Sequence, residues 1–478
     1  MTRLWILCLA LALAPIDALA DLRKAVETLD AEVEQLRKAG QVPGVAVGII
    51  DNGKLAFSRG YGYRDLEHKL PVTENTVFAV GSVTKSFTAA AAALLVDEGK
   101  LDWDTPVREY LPDFQLMDEV ATKLTTVRDM LCHRTGLPTH DFIRWAVPLT
   151  RDELMRRLRY LEPNASFRSK YQYHNLMYVA AGYLAGRVAG TTWEKLVEDR
   201  IFAPLGMTAS STSVLDMQKQ PDFAKPHSKQ GDRVTELPFY NYQQFGVGPN
   251  GAVNSNVIDL AKYLVFHLNK GRAGDKQIIS EKQMAEMHGL QMVIDEDSSY
   301  GLGWTIRRIE GRKIVQHGGS IRGFIAWVGF VPKERVGAIV LANLSNTSLP
   351  GTIGPRIVQR LLGGTPPPLP MPKPETPAAK NTVEKPKAPT HPLSDFVGEY
   401  MHPAFGKVKV EQAGESLQLV FPALTIPLRH VNYDVFEATG PETRGRRYQF
   451  QMNERGEIST LLAPLEPAVR PFVFEKLR

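Results

Sequence analysis

Ser82 and Lys85 stand three residues apart in the stretch Phe78-Ala79-Val80-Gly81-Ser82-Val83-Thr84-Lys85-Ser86-Phe87-Thr88. An alanine-rich run, Ala89 to Leu95, follows directly. It contains neither proline nor glycine and reads as a buried helix. Three residues is close to one helical turn, so the hydroxyl and the amine share a face. A hydroxyl is a poor nucleophile until a base takes its proton. A lysine desolvated beside it by apolar packing is a candidate for that base, or for the group that orients another. The helix N-terminus adds partial positive charge and free backbone N–H groups next to Ser82. Taken alone, the pair fits a solvated first turn better, and the rest of the chain reverses that reading.

Two later stretches carry further candidates. Tyr173-His174-Asn175 precedes a helical pattern from Leu176 to Val188, and His317-Gly318-Gly319-Ser320 lies among strand-like segments. On residue type alone Tyr173 is either a core aromatic with a satisfied hydroxyl or a proton carrier. His317 is either a satisfied loop histidine or a ligand contact. His133, His140 and His174 lack the spacing of a zinc motif, and no metal is expected. Phe142 and Trp145 read equally as cleft walls or as packing.

The elements that must position these residues follow from periodicity. Ala25 to Ala39 reads as a helix. Val45 to Ile50 and Leu55 to Tyr63 read as strands joined by the hairpin turn Asp51-Asn52-Gly53. Arg151 to Tyr160 and Thr192 to Phe202 read as helices, and so does Asn256 to Leu268, with Asn254 or Ser255 as its N-cap. From Tyr300 the pattern becomes hairpin-like, with strands at Trp304 to Arg308, Lys313 to Gln316, Phe324 to Phe330 and Val336 to Leu341. Strands at both ends with helices between imply one antiparallel sheet built from the two ends of a domain. Thr365 to Pro392 has 10 prolines in 28 residues and reads as a semi-rigid extended linker. Beyond it, Phe396 to Arg478 alternates as short strands of a small β-barrel or sandwich.

The chain has 478 residues, 43% hydrophobic and 23% charged, which is ordinary globular composition for about two domains. A net charge of +5, with no basic run longer than Arg444-Gly445-Arg446-Arg447, argues against nucleic acid as a partner. Met1 to Ala20 reads as a secretory signal: Arg3, an apolar run from Leu4 to Ile16, and Ala18-Leu19-Ala20 as cleavage site. Its removal leaves Cys132 as the sole cysteine and hence no internal disulfide. The expected layout is a signal at 1–20, a catalytic domain at 21–364, a linker at 365–392 and a β-barrel at 393–478. Periplasmic or secreted location follows, with no transmembrane segment.

The order of these stretches resembles the three motifs of the class C β-lactamase-like and penicillin-binding serine hydrolases. Ser82-Val83-Thr84-Lys85 comes first, Tyr173-His174-Asn175 second, and His317-Gly318-Gly319 third. Leu131-Cys132-His133-Arg134-Thr135-Gly136-Leu137, Pro204-Leu205-Gly206-Met207, Gly248-Pro249-Asn250-Gly251-Ala252 and Tyr300-Gly301-Leu302-Gly303-Trp304 also fall in family order. The resemblance spans about Ala39 to Leu344. It implies an α/β (α+β) fold, an antiparallel sheet flanked by helices plus a helical subdomain. It implies Ser82 as acylated nucleophile, Lys85 as acceptor or relay of its proton, and Tyr173 as partner base. Asn175 would orient Lys85 and contact a substrate amide. The N–H groups of Ser82 and Ser320 would form the oxyanion hole, with Gly318 and Gly319 allowing close approach. No cofactor is implied.

The third motif is His-Gly-Gly where β-lactam-destroying relatives carry Lys-Thr-Gly. A histidine is only partly charged at pH 7, so it offers a weaker anchor for a β-lactam carboxylate. Esterase and D-amino-acid peptidase relatives tolerate it. The C-terminal strands, with Phe396-Val397-Gly398-Glu399-Tyr400, resemble the small lipocalin-like domain appended to some of those peptidases. The expected activity is hydrolysis of small peptides with D-residues, peptidoglycan fragments or esters. A non-catalytic cell-wall binder or sensor and a true β-lactamase are the alternatives. The sequence specifies no oligomeric state.

Overall fold

The computed structural model describes residue 26 and residues 28–369, 387–440 and 443–478. The expected signal at 1–20 and the middle of the expected linker lie outside the described residues. The expected antiparallel sheet is present, with nine strands. From one edge the order is Met292–Val293, Ser299–Tyr300, Thr305–Ile309, Arg312–Ile321, Phe324–Val331, Val336–Ala342, Gly44–Asp51, Lys54–Asp65 and Leu70–Pro71. The two ends of the domain therefore meet at the sheet centre, where Val45 pairs with Ala342 and Ile50 with Gly337.

Gly44–Asp51 is buried along nearly its whole length, as befits a strand covered on both faces. Its hairpin to Lys54–Asp65 turns through Asn52 at φ 48° and Gly53 at φ 72°. Both positive angles are what a two-residue type I′ turn demands, and Asn-Gly meets them at low cost. One face of the sheet packs against helices Leu29–Ala39 and Leu349–Leu361, around Val33, Val47, Val340, Ile353 and Ile357. Glu32 ties these helices together through Arg356, at 2.7 Å, and Arg360.

The other face packs against helix Val257–Leu268 and, beyond it, helix Thr84–Asp97. The latter is buried from Thr84 through Leu95, on every side. A helix apolar all round has no solvent face to keep, and it sits in the centre of the domain. It packs on helix Asn175–Ala189, the spine of the helical region. Helix Val257–Leu268 is capped by Asn256, whose side chain accepts from Asp259 N at 2.8 Å. The expected caps serve elsewhere: Asn254 and Ser255 form a short strand paired with Phe78–Ala79, which fixes the approach to Ser82. The expected Thr192–Phe202 helix also departs from regularity. Trp193–Val197 is followed by a π turn over Glu198–Phe202, in which Ala203 N–H reaches Glu198 O. Pro204 has no N–H to continue an α ladder and crowds the carbonyl four residues back.

The C-terminal strands close into an eight-stranded antiparallel barrel, its last strand Phe472–Lys476 pairing with its first, Gly398–His402. Aromatic rings fill its interior, among them Phe396, Phe436 and Phe450 at 5.0–5.7 Å. The barrel is seated on the segment 139–146. Glu466 accepts from Thr139 Oγ1 at 2.9 Å and from His140 N–H at 2.8 Å. Ala423 N–H donates to Ala146 O at 3.0 Å, and Phe142 packs on Phe421.

A Cβ at Gly354 would lie 2.0 Å from the Trp327 ring. Alanine is the better helix former by ~1 kcal/mol, yet overpacking a core contact costs about 1–3 kcal/mol. The clash is the larger effect, so Gly354→Ala is expected to lower the thermal midpoint by several degrees. A midpoint equal to or above wild type in a melting scan would contradict this packing.

Candidate active site

Ser82 lies in a single turn of 3-10 helix, Gly81–Val83, that leads into the Thr84–Asp97 helix. Gly81 has φ +52°, and a Cβ there would stand 2.8 Å from Ser320 N. Glycine thus serves both the left-handed backbone and the close approach of strand Arg312–Ile321. A Cβ on Gly319 would lie 1.9 Å from Val80 O and 3.2 Å from Ser82 N. Gly318 differs from the expectation: the nearest atom to its Cβ position is Ala326 O at 3.8 Å. Only Gly319 is demanded by the approach, because alternate strand residues face opposite sides. The result brings the backbones of Ser82 and Ser320 to one wall.

Lys85 is fully buried. Its Nζ lies 3.0 Å from Ser82 Oγ, 2.7 Å from Asn175 Oδ1 and 3.0 Å from Asn250 O. The Asn250 carbonyl is set by the central helix, since Thr88 Oγ1 donates to Pro249 O at 2.6 Å and Thr84 Oγ1 accepts from Val253 N. The Asn175 amide is oriented from its other end, where Nδ2 donates to Asp141 Oδ1 at 2.8 Å. Burial pushes the Lys85 amine well below its ordinary value; the positive charge of Arg144 adds to this and Asp141 opposes it. Nζ also lies 4.7 Å from the Tyr173 ring centroid and 5.4 Å from that of Tyr178. Ring faces favour a cation by about 0.5–2 kcal/mol, less than the several kcal/mol that a buried unpaired charge costs. Desolvation thus acts in favour of the neutral amine.

Tyr173 borders the cleft, and its hydroxyl is beside Ser82. Burial raises its phenol, with the Ser82 hydrogen bond in partial opposition, so it is protonated at neutral pH. His317 is 5% exposed. Its Nδ1–H donates to Gly318 O at 2.6 Å, which leaves Nε2 to accept from the Tyr300 hydroxyl at 2.8 Å. Burial pushes His317 down to about 3. It is a neutral ring and offers no cation to the cleft.

Asp141 and Arg144 join this group without having been singled out in the sequence, and Asn250, quoted there only within its stretch, joins it through its carbonyl. Arg144 Nε donates to Asp141 Oδ1 at 2.8 Å. Burial opposes ionisation of Asp141, but the charge and hydrogen bonds of Arg144, with Asn175, hold its carboxyl below the usual range. The two open alternatives at Phe142 and Trp145 resolve differently. Trp145 lines the cleft, whereas Phe142 packs on the barrel. His133 is architectural: its Nδ1 accepts from His174 N–H at 2.9 Å, and His174 Nδ1 in turn caps helix Asn175–Ala189 through Met177 N. Burial pushes the free Cys132 thiol up to about 12, which leaves it inert as a nucleophile. The cleft measures about 870 Å³ and is walled by Ser82, Tyr173, Asn175, His317 and Ser320, with Trp327 and Thr347 beyond.

Burial also pushes His174 and His288 down to about 3. Unfolded histidines titrate near 6.5, so between pH 6.5 and 3 the unfolded chain binds protons that the folded chain refuses. Stability is full above pH 6.5. Each such histidine removes up to ~1.4 kcal/mol per pH unit as pH falls through that window. Urea midpoints taken from pH 7.5 to 4 are expected to drop steeply below 6.5. A flat profile would mean that these rings are protonated in the folded protein.

Residues 29–360 match the Beta-lactamase family, and residues 382–476 match a domain of unknown function, DUF3471. Over 423 residues the chain is 29% identical to "Unguisins hydrolase ungD'" of Aspergillus campestris, covering 79% of this chain and 76% of that protein. It is 25% identical over 329 residues to Protein flp of Staphylococcus aureus, covering 68% of this chain and 64% of that one. Among solved structures, the octameric penicillin-binding protein homologue from Pyrococcus abyssi superposes with TM-score 0.66 at 25% identity, over 94% of this chain and 100% of that chain. D-alanine carboxypeptidase AmpC from Burkholderia cenocepacia shares the fold, with TM-score 0.60 at 21% identity over 72% and 99% of the two chains. The family match alone covers well over half of the sequence, and the chain belongs to the Beta-lactamase family of serine hydrolases.

Proposed function

We propose that Ser82 is the nucleophile of an exported hydrolase that works through an acyl-enzyme, with Lys85 as its base. The environment of Lys85 Nζ carries this reading. A neutral amine has two N–H donors and one lone pair. Two of its three neighbours, Asn175 Oδ1 and Asn250 O, can only accept hydrogen bonds. The lone pair is then left for the third, the Ser82 hydroxyl at 3.0 Å. The amine is aimed to take the hydroxyl proton as Ser82 Oγ attacks a carbonyl carbon.

The carbonyl oxygen becomes an oxyanion, held by the N–H groups of Ser82 and Ser320. Tyr173, protonated at rest, acts as a proton shuttle to the leaving group rather than as a standing phenolate. It recovers a proton from the Lys85 ammonium, and the carbonyl–leaving-group bond breaks to give the acyl-Ser82 ester. A water then attacks that ester with the same groups in reverse roles, which releases the acid and restores Ser82. Asn175 positions Lys85 and meets a substrate amide, while His317, Gly318 and Gly319 form the substrate-facing strand.

The substrates best suited are small peptides with D-residues, peptidoglycan fragments or esters. A neutral His317 gives no fixed cation for a β-lactam carboxylate, which disfavours the β-lactamase reading. The word hydrolase in the name of the 29%-identical relative favours turnover over passive binding. Export rests on the signal-like segment at 1–20; among the described residues no helix is long and apolar enough to cross a membrane. The division into catalytic domain 21–364, linker 365–392 and barrel 393–478 belongs to the same reading.

The test is intact mass after exposure to a fluorophosphonate, with activated-ester turnover alongside. Wild type is expected to gain one adduct and Ser82→Ala none, with turnover of that variant down on the order of 10⁴-fold. Lys85→Arg places a permanent cation there that cannot accept a proton, so it is expected to lose at least ~10³-fold. Substantial activity in Lys85→Arg would make residue 85 a cation rather than a base. Tyr173→Phe is expected to cost roughly 10²–10⁴-fold; a loss under threefold removes it from the shuttle. Because the lysine must lose its proton, kcat/KM should fall as pH drops through an acid limb placed well below 10.5.

A further inference from the structure

A cavity of about 370 Å³ lies between the catalytic half and the barrel. That volume falls in the range of small ligand sites, roughly 300–1,000 Å³. Phe142, Trp145, Leu424, Leu465 and Pro467 supply its apolar surface. Asp141, Trp145 and Arg322 line both this cavity and the Ser82 cleft, so the two spaces share a wall. From Asp141 the path to the nucleophile is three hydrogen bonds long, through Asn175 and Lys85 to Ser82.

The polar groups of the cavity are unequal. Among the described residues its two carboxylates are already engaged. Asp141 is held by Arg144 and Asn175. Glu466 is held by Thr139 Oγ1, His140 N–H and Ala468 N–H. Arg446 is different: its hydrogen bonds go to the carbonyls of Pro464 and Leu465, and its guanidinium lies 6.0 Å from the centre of the Phe142 ring. These contacts fix the side chain, and among the described residues no carboxylate bonds it. The cavity thus combines an apolar bed with a cation, and the barrel supplies both Leu424 and Arg446.

We propose that this cavity is a substrate subsite. It takes an apolar side chain, together with the carboxylate next to it, from the leaving half of a peptide-like substrate. The barrel is then a specificity element of the hydrolase. The apolar bed reads size, since one methylene changes discrimination by about 10–200-fold in a fitted pocket. Arg446 reads charge by a bond of the guanidinium–carboxylate kind. The proposal rests on Ser82 as nucleophile, because the shared wall orients the subsite towards that residue.

Three esters of N-acetyl-D-alanine test it, with phenyllactate, lactate or phenyllactamide as the leaving alcohol. Ratios of kcat/KM measured within one preparation do not depend on the fraction of active enzyme. On the unmodified full chain, phenyllactate is expected to exceed both lactate and phenyllactamide at least tenfold. Leu424→Trp fills the cavity and should cut the phenyllactate-to-lactate ratio at least fivefold. Arg446→Gln should cut the phenyllactate-to-phenyllactamide ratio by a similar factor. Wild-type ratios within twofold of one overturn the proposal, even if a variant fails to fold. So do variants whose ratios match wild type. Failure of the nucleophile reading shows separately, as hydrolysis of the lactate ester by Ser82→Ala.

Discussion

Desolvation of one amine is the constraint on which the site depends. Lys85 lies in a helix buried on every side, and among the described residues no carboxylate hydrogen-bonds its Nζ. An amine in water would hold its proton at neutral pH and could not act as a base. Here the protein withholds solvent, and two of the three groups that meet the amine can only accept hydrogen bonds. Asp141 hydrogen-bonds the Asn175 amide rather than the amine, and its charge only partly opposes the effect of burial on Lys85. It orients the relay while its own charge is met by Arg144. Much of the surrounding architecture maintains this arrangement: Thr84 and Thr88 on the central helix hold the loop that presents Asn250, and His133 holds the irregular segment that carries Tyr173 into the helix begun by Asn175.

What was legible in the sequence was local. Ser82 and Lys85 are readable because one helical turn joins them. The Asn-Gly hairpin is readable because it needs two positive φ angles that Asn and Gly supply. The apolar alternation after Phe396 is readable because a barrel buries every second residue. The partners of Lys85 were less accessible, since Asn175 and Asn250 lie 90 and 165 residues away in the chain. Asp141 gave no signal at all: it follows a histidine in a loop and acquires meaning only from Asn175. The two glycines after His317 look alike in sequence, yet only Gly319 faces the Val80 carbonyl. Facing is a property of strand register, which one chain segment does not disclose. The N-cap of helix Val257–Leu268 falls at Asn256, one or two residues beyond the expected positions, because Asn254 and Ser255 pair with Phe78 and Ala79.

The barrel is joined to the site by short-range contacts. Glu466 grips the backbone at His140, which adopts φ +45°, a left-handed value uncommon outside glycine. The next residue is Asp141. The same turn that receives the barrel therefore also sets the carboxylate that orients Asn175. Phe142 and Trp145, one turn of chain apart, divide the duties, the first packing on the barrel and the second opening onto the cleft.

The sheet order has a consequence for biogenesis. Gly44–Asp51 is made early but its second neighbour, Val336–Ala342, arrives about 290 residues later, since Val45 pairs with Ala342. At ~5–20 residues per second the first hairpin waits roughly 15–60 s with one apolar edge unpaired. Such an edge is a template for wrong strands. Productive folding of the chain thus favours a delay in which the early hairpin is kept from other chains until its late partner emerges.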